Sequence, residues 1–204
     1  MPCSSPAAAR PDSMGRAGLL VLSLFTAGVA GVVQGCSDTT ADVPWTATID
    51  TVTLYSLAVP DLTRASAYDF TGRTRVRIEQ PGSQRAWDLA LDTRGGALVL
   101  VPPGALGIDS KARIAALPGQ SFSQVQKAPS DTLLYASNTT LPVDLNTTYV
   151  VRTDQRASPI GIACEYYAKM QPIALDAAAG SMRFIYDVSP VCNDLRLVPP
   201  DSIK

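Results

Sequence analysis

Near the C-terminus, two segments of alternating polarity, Ile162–Leu175 and Ser181–Cys192, flank Asp176-Ala177-Ala178-Ala179-Gly180. Alternation ending in a glycine-bearing loop predicts a β-hairpin, here with a five-residue loop. If Leu175 opposes Ser181, the same register sets Lys169 against Asp187, a favourable cross-strand charge pair. It also sets Cys164 against Cys192. One face then carries Cys164, Tyr166, Ala168, Met170, Met182, Phe184, Tyr186 and Val188 and is apolar. Glu165, Lys169, Gln171, Arg183 and Asp187 share the other, which is mostly polar. Pro172 and Pro190 lack the N–H that a ladder needs, so a bulge or an edge position must absorb them. A chain that ends this way is committed to antiparallel β structure.

The rest of the chain agrees. Glutamate occurs only at Glu79 and Glu165 and lysine only four times, so surface helix formers are scarce. Thr46–Ala58 reads as a strand and Ser66–Phe70 as part of a loop. In Arg73–Glu79, Thr74, Val76 and Ile78 form one face and Arg73, Arg75 and Arg77 the other. Trp87, Leu89 and Leu91 alternate with Asp88, Ala90 and Asp92; Gly95-Gly96 then predicts a tight turn into Ala97–Val101, which Pro102-Pro103 ends. Thr132–Ala136, Leu141–Val143 and Thr147–Thr153 are further strands, whereas Asp109–Leu117 reads as either a strand or a short helix. The expected fold is all-β: an antiparallel sandwich or partly open barrel with a disulfide-stapled C-terminal hairpin.

The N-terminus reads as an address. Arg10 and Arg16 precede the apolar run Ala17–Val33, followed by Val33-Gln34-Gly35-Cys36. A basic region, an apolar region and small residues before a cut describe a secretory signal peptide over residues 1–35. With an aliphatic residue three positions before the cysteine and glycine directly before it, this stretch resembles the lipobox, in which the thiol takes diacylglycerol and the bond before it is cut. Cys36 is therefore the expected lipidation site. Ala17–Val33 lies at the short limit for a membrane span, roughly 17–25 residues. Met14-Gly15-Arg16 is a compact basic region by itself, so Met14 is an alternative start. Residues 36–44 form the lipid-bearing cysteine and a polar tether, and 45–204 a single β domain. Ser37 rather than aspartate after the cysteine leans toward the outer membrane. In that oxidising compartment Cys164 and Cys192 are expected to form a disulfide.

Composition narrows the chemistry. The 204-residue chain has no histidine and a net charge of −1, so histidine triads, His-bearing zinc sites and bis-histidine haem ligation are excluded, and nothing favours nucleic acid. Gly119-Gln120-Ser121-Phe122-Ser123 lacks the second glycine of a nucleophile elbow. Asp88 and Asp92 lie four residues apart along a strand, roughly 13 Å, too far for a glycosidase pair; a solvated face is expected there. The stripe Arg73, Arg75, Arg77 reads as a soluble face or as a site for an anionic ligand or lipid head group. Tyr166, Tyr167, Met170, Met182 and Tyr186 gather near the expected disulfide, with the methionines on the core side.

Trp87-Asp88-Leu89-Ala90, Tyr149-Val150-Val151-Arg152-Thr153, Tyr167-Ala168-Lys169-Met170-Gln171 and Met182-Arg183-Phe184-Ile185-Tyr186 together resemble stretches of the HmuY-like haem-binding lipoproteins. The resemblance implies an envelope-anchored all-β domain. Haem-binding members use histidine or methionine ligands, and no such position carries over, so no cofactor is assigned. The expected function is a non-catalytic binding module of unknown ligand, with a concave site lined by Tyr166, Tyr167 or Met170. The alternative is a structural or assembly lipoprotein that contacts other envelope proteins. Expected partners are the membrane, through the diacylglyceryl anchor, and a small ligand or an envelope protein. No catalytic or metal-binding residue is assigned.

Overall fold

The computed structural model describes residues 44–83, 85–157 and 161–200. Residues 1–35, Cys36 and the tether up to residue 43 lie outside them. The strands are β1 (Asp50–Tyr55), β2 (Ala67–Asp69), β3 (Thr74–Val76), β4 (Leu89–Arg94), β5 (Ala97–Val101), β6 (Arg113–Pro118), β7 (Tyr135–Ala136), β8 (Leu141–Pro142), β9 (Thr147–Arg152), β10 (Arg156–Ala157), β11 (Ala163–Cys164), β12 (Tyr167–Asp176) and β13 (Ser181–Val188). All pairings between them are antiparallel. One six-stranded sheet runs β1-β13-β12-β9-β6-β7 and a five-stranded sheet runs β3-β2-β4-β5-β8, with β10 and β11 as a separate ribbon. Neither large sheet closes into a barrel.

The two sheets pack face to face through one core. Leu54, Ile114, Met170 and Phe184 from the six-stranded sheet meet Tyr68, Leu89, Leu91 and Leu100 from the five-stranded one. Each of these side chains is almost fully withdrawn from solvent, and each contributes about 1.5–3 kcal/mol by leaving water. Tyr68, Phe70, Phe184 and Tyr186 meet mostly edge-on, with ring centroids 5.1–6.4 Å apart.

Both outer faces are also covered in part. Val125, Ala128 and Leu197, from irregular segments, pack on Ala115 and Val150 of the six-stranded sheet. Trp87 packs with Ala90, Val99 and Val101 on the outer face of the five-stranded sheet. This explains why strands such as β9 are buried at nearly every position rather than at every second one.

The final hairpin keeps the expected register over most of its length. Lys169 opposes Asp187 and Met170 opposes Tyr186, up to Pro172 opposite Phe184. The pairing then slips by one residue between Pro172 and Ala174, so a bulge at Ile173 absorbs the proline as its missing N–H requires. One detail of the expectation is corrected. Asp176 opposes Ser181, so the loop is the four residues Ala177–Gly180, one shorter than expected. On the polar face Lys169, Asp187 and Glu165 are buried, whereas Arg183 is exposed. Lys169 Nζ donates to the carbonyls of Phe122 and Val125, each at 3.0 Å, and lies 4.5 Å from the Phe122 ring centroid. It thereby pins the covering segment onto β12.

The Cys164–Cys192 disulfide is present, with Cα atoms 5.1 Å apart. It sits beyond the hairpin ladder: Cys164 ends the short β11, and Cys192 lies in the turn after β13. Asn193, at a φ of +57°, reinforces the junction. Its amide N–H donates to Glu165 O at 2.9 Å and its side chain accepts from Glu165 N at 2.9 Å.

Other segments differ from expectation in kind. Ser66–Phe70 contains β2, a buried central strand held between β3 and β4, rather than loop. Asp109–Leu117 resolves to β6, since its pairing with both β9 and β7 decides against a helix.

The tip of the hairpin packs on the segment that follows β1. Gly180 has a φ of +60°, and its carbonyl accepts from Ser56 N at 2.6 Å. A Cβ there would lie 2.8 Å from Val59 Cγ2 and 3.2 Å from Ser56 Cβ. Gly180→Ala therefore combines left-handed backbone strain with a clash and is expected to cost about 1–3 kcal/mol. A denaturant midpoint unchanged from wild type would contradict this.

Candidate functional site

At one side of the sandwich the two sheets end in edge strands, β1 and β3, and backbone hydrogen bonds join the layers at the last residue of β1 and just beyond it. Tyr55 N donates to Ala65 O at 3.0 Å, and Leu57 N donates to Leu91 O of β4 at 2.9 Å. Short of those bonds the edges stay apart and a groove opens. Its first hollow, about 380 Å³, is lined by Asp50–Thr53, Tyr68, Arg73, Arg75 and Tyr186. The second, about 330 Å³, is lined by Thr53, Tyr55, Thr63, Arg64, Ala65, Arg75 and Arg77. Thr53 and Arg75 belong to both, so the two are continuous.

The walls differ in what their charges already hold. Arg73, at a φ of +50°, donates to Asp50 Oδ2 at 2.9 Å and lies 3.5 Å from Asp187 Oδ1. Arg64 pairs with Asp61 at 3.0 Å and stacks over the Tyr55 ring. These two cations are neutralised. Arg77 faces the neutral side-chain amide of Gln80. Arg75 is exposed, and among the described residues its guanidinium has neither a carboxylate nor any other hydrogen-bond partner. The groove thus carries two cations, Arg75 and Arg77, that no carboxylate offsets.

The floor of the first hollow is a relay of hydroxyls. Tyr68 Oη donates to Tyr186 Oη at 2.5 Å, and Tyr186 Oη donates to Asp50 Oδ2 at 3.3 Å. Burial, followed by the hydrogen bond with Tyr186, drives the Tyr68 phenol far above its ordinary range; burial likewise raises that of Tyr186. Both phenols therefore remain neutral at physiological pH.

The arginine stripe read from the sequence is brought to this groove, although only Arg75 lies within β3 itself. The other expected lining is not assembled. Met170 and Met182 lie fully inside the inter-sheet core, and Tyr167 packs on the opposite face of that sheet. Tyr166 lines a further hollow of about 250 Å³ with Phe70, Thr71, Pro190 and Arg73, the last of which also lines the first hollow. Consecutive strand residues point to opposite faces, which separates Tyr166 from Tyr167.

The expected solvated face at Asp88 is also corrected. Asp88 is 0% exposed and accepts from Phe70 N and Asp154 N, each at 2.9 Å. Burial raises its carboxyl to about 6. Asp92, nearer the strand end, bonds Thr93 N and Arg94 Nε. Sequence reasoning missed Arg64, Tyr68, Tyr186 and Asp50 as groove residues. No local signal marks them, because they meet only through pairings between distant strands.

Among the described residues no three acidic or cysteine side chains gather as a metal site, and no helix is long and apolar enough to cross a membrane. No family model, curated protein or solved structure matches the chain.

Proposed function

We propose that this chain is an envelope-anchored lipoprotein acting as a non-catalytic binding module, and that it holds an anionic ligand in the groove between β1 and β3. The observation that supports this reading is the pair Arg75 and Arg77, both lining a continuous hollow and neither matched by a carboxylate. An anion there gains two charge-assisted contacts. The threonine and tyrosine hydroxyls around it add neutral hydrogen-bonding groups. Tethering through Cys36 and the resemblance to HmuY-like lipoproteins supply the location in this reading. They supply no ligand, and the burial of Met170 and Met182 offers none for haem.

Calorimetric titration of the full-length chain with inorganic tripolyphosphate tests this. Saturable binding is expected, weakening as salt rises because the groove is open to solvent. Arg75→Ala with Arg77→Ala should weaken it at least tenfold while leaving the melting temperature within a few degrees, since neither guanidinium holds a buried partner. Absence of saturable binding, or binding indifferent to the double substitution, would sink the proposal.

The alternative, an assembly role, draws on Leu133 and Leu134, consecutive leucines 91% and 57% exposed just before the edge strand β7. They offer an apolar contact, but no cavity accompanies them among the hollows described above.

A further inference from the structure

The groove contains more than cations. Tyr55 N points away from β13, to Ala65 O, whereas Ser56 N points the other way, to Gly180 O beside β13. An antiparallel ladder alternates strictly, so the amide and carbonyl of Thr53 and Thr51 also point away from β13. Both residues line the groove. Among the described residues nothing accepts from their N–H groups. The result is a free strand edge with Arg75 and Arg77 beside it. These two are separated by one residue, a repeat of roughly 6–7 Å along extended chain. That is also the spacing between alternate side chains of a peptide in β conformation.

We infer that the groove takes an extended acidic peptide segment, which adds to β1 as a further antiparallel strand and sets carboxylates at every second position against Arg75 and Arg77. The inference rests on the anion-binding reading above and specifies its ligand class. Main-chain bonds to Thr51 and Thr53 supply affinity, and the alternate carboxylates supply selectivity and register. Other occupants match fewer of these features. A lipid head group or a free phosphate satisfies the arginines but offers no ladder to the Thr51 and Thr53 edge. A second copy of this chain offers the ladder but brings its own uncompensated arginines into the same groove, where like charges repel.

Binding of a capped peptide of alternating glutamate and valine to the full-length chain tests the inference. Two N-methylated versions carry methyl groups on the odd or on the even amides, so each blocks one edge of the peptide and leaves its charge intact. The unmodified peptide is expected to bind with only one of the two methylated versions weakened, by at least tenfold. Hydrogen exchange at the Thr51 and Thr53 amides should slow in its presence. Inorganic tripolyphosphate and vesicles of phosphatidylglycerol are titrated in parallel. If both methylated peptides bind as well as the parent, charge alone is recognised and strand addition is overturned. If tripolyphosphate or the vesicles bind and the peptide does not, the inference falls while the anion-binding reading stands. If no probe binds, both fall. A concentration-dependent dimer protected at the same two amides would replace the peptide with a second copy and overturn the inference.

Discussion

Replacing both Cys164 and Cys192 with serine is expected to lower the free energy of unfolding by about 3–4 kcal/mol, the chain-entropy value for a closed loop of this size. The bond joins residues 28 apart in sequence, and the loop it closes contains the whole β12–β13 hairpin. In the unfolded chain that closure removes conformations. In the folded chain the strands already bring the two residues together. Asn193 still ties the junction through its bonds to Glu165, so the folded state should survive the substitution. For a domain of this size the loss corresponds to a fall in melting temperature of roughly 6–16 °C. Scanning calorimetry of the double variant beside wild type, with and without reductant, measures it. A change below about 1 kcal/mol would mean that the unfolded state is already constrained by other contacts.

The second large effect belongs to Asp88. Its two carboxylate oxygens accept from the amides of Phe70 and Asp154, and so join the five-stranded sheet to the segment after β9. Asp88→Ala strips the acceptor from both N–H groups, that of Phe70 buried and that of Asp154 half-buried, and is expected to cost about 3–5 kcal/mol near pH 4. The pH dependence has a definite sign. Burial raises the folded carboxyl from 3.8 to about 6, so between those values the folded state holds a proton that the unfolded state has released. The contribution of this group is fully present below about pH 4 and is lost as the pH rises through about 6. Asp88→Ala removes that dependence. The stability gap between wild type and variant should therefore be widest near pH 4 and narrow toward pH 7. Urea unfolding at pH 4, 5, 6 and 7 decides it; a gap that widens with pH would show that the ionised form is the one the site favours.

Asp88 also shows where reading a sequence stops. Between Trp87 and Leu89 it alternates as a solvent-facing strand residue should, and only the packing of Trp87, Ala90 and Val101 on the outer face of the sheet reveals that this face is dry. Lys169 stands opposite Asp187 as strand alternation predicts, yet its hydrogen-bond partners are two carbonyls from a segment more than forty residues away. The candidate groove divides in the same way. The arginine stripe was visible, since three arginines at alternate positions are a local pattern. Its meaning was not, because that depends on which cations already hold carboxylates: Arg73 has Asp50, whereas Arg75 has none.

What the sequence determined alone was whatever depends on neighbours along the chain or across one turn. That covers the all-β class, the Gly95-Gly96 turn, the Lys169–Asp187 register, the Cys164–Cys192 pair and the need for a bulge near Pro172. Strand period, turn stereochemistry and the missing proline N–H act over a few residues and leave their mark there. Tertiary structure alone decided the order of strands in each sheet, the burial of the outer faces and the placing of β1 across the groove from β3. Those follow from which apolar surfaces cover one another. Hydrophobic burial is non-directional, so it leaves no local pattern from which the partner can be read.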